Sequence, residues 1–249
     1  MDQLISDSFI VQSKILGEDR KIYVYLPPFS KESKEVYSVI YLLDGHSLHN
    51  VVSSFVQYYS SRGRIPPLIV VGIASIDRLR DFTPNVRLGS DGDKPLGGGA
   101  DKFLGFLSEE LIPVVEDKYP VGGYRILIGH SLGGLFTVYT MVDKPDLFRA
   151  YIVCSPWLGS EDEQLILKAK TGLKEDHFSS KMLFIAHEPI GGGGIEGRIM
   201  KLVEVFRENL SENLIWGYKR YDDADHSNLP LKAIPDALDF FFHKRNSET

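Results

Sequence analysis

The chain has 249 residues, 43% of them apolar and 25% charged, which fits a soluble globular protein and excludes collagen, coiled coil and intrinsic disorder. Its 28 basic and 34 acidic side chains leave a net charge of −6 and a pI near 5.7, which argues against binding to nucleic acid or to an anionic membrane. Cys154 is the single cysteine, so an internal disulfide and a four-cysteine zinc site are both excluded.

In chain order, FIVQSKIL at 9–16 and RKIYVYL at 20–26 are rich in β-formers and flank Gly17-Glu18-Asp19. This is the pattern of an antiparallel hairpin, which Pro27-Pro28 ends. VYSVIYLL at 36–43 and LIVVGIA at 68–74 are nearly continuously apolar, as strands buried on both faces are. YRILI at 124–128, FRAYIVC at 148–154, KMLFIA at 181–186 and LIWGYKRY at 214–221 continue the series. Between them, 101–119 places Phe103, Leu104, Leu107, Leu111 and Val115 at helical spacing, and 132–142, 195–210 and 231–242 are further helical stretches. Strands alternating with helices predict βαβ units. The expected α/β fold is a mostly parallel eight-stranded sheet, two hairpin strands and about six parallel ones, in a single domain over 1–249.

No apolar run approaches about 18 residues, so no membrane-spanning helix is expected. The start, MDQLISD, lacks the basic and apolar segments of a signal peptide. That points to the cytoplasm, or to the periplasm if a leader has been cut away. The glycine clusters Gly97-Gly98-Gly99 and Gly191–Gly194 lack phosphate-loop spacing and read as loops. The stretch 76–100 has no clear element of its own, and loops of that length are often functional.

Gly129-His130-Ser131-Leu132-Gly133 has the form G-x-S-x-G. Such short motifs recur by chance, and context decides. Here the motif follows the apolar run RILI and opens the helix LGGLFTVYTMV, the strand–turn–helix setting of a nucleophile elbow. A turn this tight forces Ser131 into a strained backbone, with small residues at Gly129 and Gly133 letting strand and helix pass. The helix N-terminus brings N–H donors to the place where an oxyanion would form, the Leu132 amide first among them.

Such hydrolases run Ser, then Asp or Glu, then His along the chain. Of the four histidines after Ser131, His226 lies in DDADHSN between the last strand and the last helix, where a general base is delivered. His243 sits among Phe240, Phe241 and Phe242, and His177 precedes a strand at the wrong end of the sheet. The acid is expected after the strand 181–186, where Ala186-His187-Glu188-Pro189 offers Glu188. Glu196, Asp222, Asp223 and Asp225 are rivals, and a Ser–His dyad without an acid is the remaining alternative. A second oxyanion donor is expected after the third strand, in Leu43-Asp44-Gly45-His46, as the His46 amide. His46 and His49 have no carboxylate cluster beside them, so no metal site is expected.

YLLDG at 41–45, PPLIVVGI at 66–73, DRLRDFTP at 77–84 and GHSLGG at 129–134, in that order, resemble the esterase D-like family of α/β-hydrolases. The resemblance covers about residues 8–243. That family includes siderophore esterases that open enterobactin-type trilactones, feruloyl and acetyl-xylan esterases, S-formylglutathione hydrolases and mycolyltransferases. By position, the resemblance implies Ser131 as nucleophile, His226 as histidine, and His46 and Leu132 as the oxyanion amides. It places Trp157, in Ser155-Pro156-Trp157, on the acyl side of the pocket, and Arg78 and Arg80 in a cationic loop near a trilactone substrate. The family's acid segment reads Gly- or Ala-Asn-Glu, whereas this chain has Ala186-His187-Glu188.

The resulting expectation is a serine carboxylic-ester hydrolase without a cofactor, acting through an acyl-enzyme on a small polar ester, either a carbohydrate-linked acyl ester or a siderophore lactone. An acyltransferase of the same fold and a catalytically silent binding protein are the alternatives. Oligomeric state is unconstrained.

Overall fold

This computed structural model describes residues 6–28, 35–88, 95–191, 194–208 and 214–246. The chain opens with β1 (Ser6–Ser13) and β2 (Glu18–Tyr25), paired antiparallel as the pattern predicts, with Gly17 at φ 69° in the turn. The turn is tied down from outside, because the Glu110 carboxylate accepts the amides of Lys14 at 2.8 Å and Ile15 at 3.2 Å.

Then come β3 (Tyr37–Leu42), α1 (Gly45–Ser61), β4 (Leu68–Ile73), α2 (Arg78–Phe82) and a small ribbon of β5 (Val86–Leu88) and β6 (Pro95–Gly97). The helix expected over 101–119 runs from 100 to 118 but is not uniform. α3 (Ala100–Gly105) passes into α4 (Ile112–Lys118) through a π-helical segment, Phe106–Leu111. The second half alternates strictly: β7 (Val121–His130), α5 (Leu132–Asp143), β8 (Ala150–Cys154), α6 (Glu163–Lys174), β9 (Met182–His187), α7 (Ile195–Glu208), β10 (Ile215–Arg220) and α8 (Leu229–Asn246).

The eight long strands form one sheet in the order β1-β2-β4-β3-β7-β8-β9-β10. The β1–β2 and β2–β4 pairs are antiparallel and the others parallel. Within the parallel part, side chains alternate between two cores. Val39, Tyr41, Leu127, Tyr151 and Val153 join the core that includes Phe103, Phe136, Leu165 and Ile199, on helices α3, α5, α6 and α7. Ile40, Leu42, Ile126, Ile128 and Ile152 join the core that includes Val52 and Val56 of α1 and Ala233, Ile234 and Phe241 of α8. Two helical layers therefore cover two apolar sheet faces, which is why these strands read as unbroken apolar runs.

The chain leaves β3 for β4 on one side and returns past it to β7 on the other, so neighbouring β3 and β7 mark the point where strand order reverses. A crevice opens outside the carboxyl ends of strands at such a point. The ends of β3 and β7 carry Asp44-Gly45-His46 and Gly129-His130-Ser131.

α1 and α6 are not among the elements expected from periodicity. The sheet-facing side of α1 mixes Gly45, His49 and Ser53 with Val52 and Val56, so its buried face is not an apolar stripe. The stretch 76–100 holds α2 and the β5–β6 ribbon, although its residues 89–94 lie outside the described residues. Of the cluster Gly191–Gly194, Gly192 and Gly193 also lie outside them, as do 209–210 of the helix expected over 195–210 and residues 1–5 of the chain's start.

Candidate active site

Ser131 sits between β7 and α5 with φ 60° and ψ −120°, a conformation that side chains adopt only under tertiary constraint. The constraint is visible. Its N–H donates to Cys154 O at 3.0 Å, and its carbonyl accepts from Leu135 N–H and Trp157 N–H, both at 3.0 Å. Glycine is required before it: a Cβ on Gly129 would stand 2.1 Å from the Gly133 carbonyl oxygen. Leu132 opens α5 immediately after the nucleophile candidate, so its N–H is one of the helix's unsatisfied first donors.

His226 lies between β10 and α8, and the carboxylate that meets it is Glu188, at the end of β9. His226 Nδ1 stands 2.7 Å from Glu188 Oε1, which also accepts from Ser155 Oγ at 3.0 Å. Glu188 is buried, with Oε2 unpartnered among the described residues. Burial alone would raise its pKa, but the bonds from His226, its own backbone and Ser155 prevail and hold the carboxyl below the ordinary 4.5.

The rival acids are occupied elsewhere. Asp225 builds the turn that presents His226, accepting from Ser227 N–H and Asn228 N–H, both at 2.9 Å. Asp223 pairs with Lys232 and Asp222 with Arg220, and Glu196 accepts from Ile190 N–H at 3.2 Å.

Two further histidines flank this pair. His187 is fully buried, with Nδ1 2.7 Å from the Glu188 carbonyl and Nε2 2.8 Å from the Tyr218 hydroxyl. A carbonyl can only accept, so Nδ1 donates, and the ring braces the backbone of Glu188 against β10. His130 packs its ring on His226, centroids 4.4 Å apart. Burial, aided by repulsion from His226, pushes the pKa of His130 down to about 4, so it stays uncharged near neutrality. Ser155, His187 and His130 were not singled out as site residues in the sequence. The usable signals were that Ser155 follows a buried strand directly and that His130 and His187 adjoin Ser131 and Glu188.

The expected second oxyanion donor lies at the start of α1. Asp44 is in the left-handed region, φ 54° and ψ 38°, and its carbonyl accepts the amides of Ser47 and Leu48 at 2.9 and 3.2 Å. Gly45 and His46 are therefore the leading amides of that helix. Glycine is needed at 45 because a Cβ would stand 2.4 Å from the Gly72 backbone.

Arg78 and Arg80, expected beside a substrate, each pair with carboxylates. Arg78 donates from Nε and Nη2 to the two oxygens of Asp44, at 2.8 and 3.0 Å, and from Nη2 to the His130 carbonyl at 3.3 Å. Arg80 bonds Asp81 at 2.7 Å and both oxygens of Glu18, at 3.0 and 2.6 Å. Trp157 is 42% exposed and borders a cavity of about 500 Å³ whose lining includes Ile190, Gly191, Arg87 and Arg198. Cys154 is buried, its thiol pushed up to about 12 by burial, and is no rival nucleophile.

The family model described as "Putative esterase" matches residues 13–235. The chain belongs to the Esterase family. Among the relatives of this family member, the ferri-bacillibactin esterase BesA of Bacillus subtilis is 33% identical over 182 residues, 66% of this chain and 61% of BesA. The siderophore enterobactin esterase of Emericella nidulans is 30% identical over 174 residues, 61% of this chain and 55% of that one. The alignments thus span about 55–61% of the length of these two relatives. Among solved structures, an IroE-like serine hydrolase from Shewanella oneidensis superposes with a TM-score of 0.85 at 28% identity, covering 96% of this chain and 80% of that one. The architecture of this Esterase family member is that of the α/β-hydrolases. Among its described residues, no helix is long and apolar enough to cross a membrane, and no group of three or more His, Cys, Asp or Glu side chains is placed to hold a metal ion.

Proposed function

We propose that the protein is a serine carboxylic-ester hydrolase acting through an acyl-enzyme. The observation that carries this reading is the 2.7 Å bond between His226 Nδ1 and buried Glu188, on loops that follow the same sheet's strands as the strained Ser131. Glu188 fixes the tautomer with the proton on Nδ1, so Nε2 of His226 takes the proton of Ser131 as its Oγ attacks the ester carbonyl. The amides of Leu132 and His46 hold the oxyanion. Collapse releases the alcohol, protonated by His226, and leaves the acyl group on Ser131. Water activated by His226 then releases the acid.

The substrate class we favour is a siderophore lactone or a similarly polar ester. It is supported by the relatives' named activities and by the exposed indole of Trp157, which borders a cavity and whose backbone N–H bonds the Ser131 carbonyl at 3.0 Å. One buried cysteine fits work in the reducing cytoplasm.

The test is fluorophosphonate labelling with p-nitrophenyl acetate turnover. Ser131→Ala abolishes labelling and lowers kcat by about 10⁴–10⁶-fold, while Glu188→Gln lowers it by about 10⁴-fold at unchanged fold. Unlabelled but folded wild type would sink the reading. Full activity in Glu188→Gln would leave a Ser131–His226 dyad. Hydrolysis of a siderophore trilactone, followed by chromatography of the released monomers, tests the substrate class.

A further inference from the structure

The structure assigns Arg78 as a positioning residue: its guanidinium ties Asp44, at the head of the loop carrying the His46 amide, to the His130 carbonyl of the nucleophile elbow, and so sets the spacing of the two oxyanion donors. This rests on His46 and Leu132 being those donors.

The two donors belong to helices that start from different strands. α1 follows β3 and α5 follows β7. The strands are held by their ladder as far as Leu42 and Ile128, and by Leu43 N–H on Ile128 O at 3.0 Å. Beyond that point the ladder offers no further backbone link. The link across the gap is made by side chains. Asp44 Oδ1 accepts from Ser75 Oγ at 2.8 Å and from Arg78 Nε at 2.8 Å, and Oδ2 accepts from Arg78 Nη2 at 3.0 Å. The same Nη2 reaches the His130 carbonyl at 3.3 Å, one peptide before Ser131. A planar fork that bonds a carboxylate through two nitrogens has little rotational freedom left. The carboxylate also lies against the elbow, since a Cβ on Gly133 would stand 3.4 Å from Asp44 Oδ2. The side chain of Asp44 is 10% exposed and that of Arg78 37%, so the pair sits at the mouth of the crevice with the carboxylate innermost.

An oxyanion hole works only if both amides meet one oxygen at about 2.7–3.1 Å, and loss of one donor costs about 10²–10³-fold in kcat. A clamp that keeps them at that spacing acts on the transition state and leaves ground-state binding alone. This differs from a substrate-binding arginine, which would act on KM for anionic esters.

The experiment compares wild type with Arg78→Ala and Arg78→Lys on neutral p-nitrophenyl acetate and on the anionic p-nitrophenyl hemisuccinate, with fluorophosphonate labelling rates and melting temperatures alongside. The expected result for Arg78→Ala is a fall in kcat of about 10–100-fold on both esters and a comparable slowing of labelling. KM stays within about twofold. Lysine keeps the charge but not the fork, so Arg78→Lys loses nearly as much kcat with its melting temperature unchanged, and it decides alone if the alanine variant does not fold. A rise in KM confined to the hemisuccinate, unaltered kcat, or full rescue by lysine would each overturn the assignment. Wild type that neither labels nor turns over would instead overturn the underlying reading of the site, a result separate from any effect of Arg78.

Discussion

At the scale of single residues, the histidine packed on His226 changes how the fold responds to pH. His130 has its pKa lowered from 6.5 to about 4, burial being the main cause. Between those values the unfolded chain takes up a proton that the folded chain refuses. Stability therefore falls as pH drops from about 6.5 to about 4 and loses nothing further from this group below that. Glu188 adds to the acid loss from lower down: its carboxyl is held below 4.5, so its contribution is present above that value and disappears as pH falls through its folded pKa. The expected outcome is that the melting temperature of His130→Gln declines less steeply than that of wild type between pH 6.5 and 4, while the two curves run parallel above pH 7. Parallel curves throughout would mean that His130 titrates normally in the folded protein. Sequence pointed to His226 and Glu188 because each follows a strand that could be recognised. It could not show that Arg78 pairs with Asp44 and Arg80 with Glu18, because those partners lie 34 and 62 positions away along the chain.

At the scale of elements, the elbow is the rigid part and its glycines carry the rigidity. A methyl at 129 would meet the Gly133 carbonyl at 2.1 Å and Thr137 Oγ1 at 2.4 Å, so β7 and α5 would have to separate. Gly129→Ala is expected to cost about 3 kcal/mol or more, seen as a fall in melting temperature of roughly 6–12 °C, with kcat falling as Ser131 is displaced. Gly197, exposed in α7 with nothing within 4 Å of an added Cβ, is the contrast. There Gly197→Ala gains about 0.5 kcal/mol of helix propensity and the melting temperature rises by about 1–2 °C. Calorimetry on the two variants separates a packing glycine from a merely permissive one. The same distinction explains why α1 shows no apolar stripe in the sequence. Its buried face mixes Gly45, His49 and Ser53 with two valines: β4 passes so close at Gly45 that only glycine fits, and Gly72 of β4 leaves the room that the His49 imidazole fills.

At the scale of the whole molecule, the antiparallel hairpin is joined to the active-site half by a charged network. Arg20 of β2 is fully buried and donates to the Ala74 carbonyl at 3.0 Å, to Asp81 of α2 at 2.9 Å and to Glu18. Arg80 closes the ring onto Glu18 and Asp81. Asp81→Asn removes one of the two carboxylates that face the buried Arg20 guanidinium and leaves Glu18, and the expected loss is about 1–3 kcal/mol by denaturant unfolding. Arg64→Ala, at an exposed pair with Asp239, should scarcely move the transition.

Much of this architecture is written locally. Continuous apolar runs dictate strands buried on both faces, 3.6-residue periodicity dictates α5, α7 and α8, and G-H-S-L-G between strand and helix dictates the elbow. Each follows from interactions among residues a few positions apart. The α/β class, the eight long strands in order, four of the helices, and the places of Ser131, His226 and Glu188 on their loops are therefore legible in the sequence. The folded chain alone shows that Glu188 is the carboxylate meeting His226, that His187 and Ser155 brace Glu188, that His130 packs on His226, and that Arg78 faces Asp44 and the elbow. Those pairings form across the carboxyl ends of β3, β7, β8, β9 and β10, and most of them join side chains far apart in the chain. No local pattern encodes such distances, and they become definite only once the two apolar cores have fixed the strands.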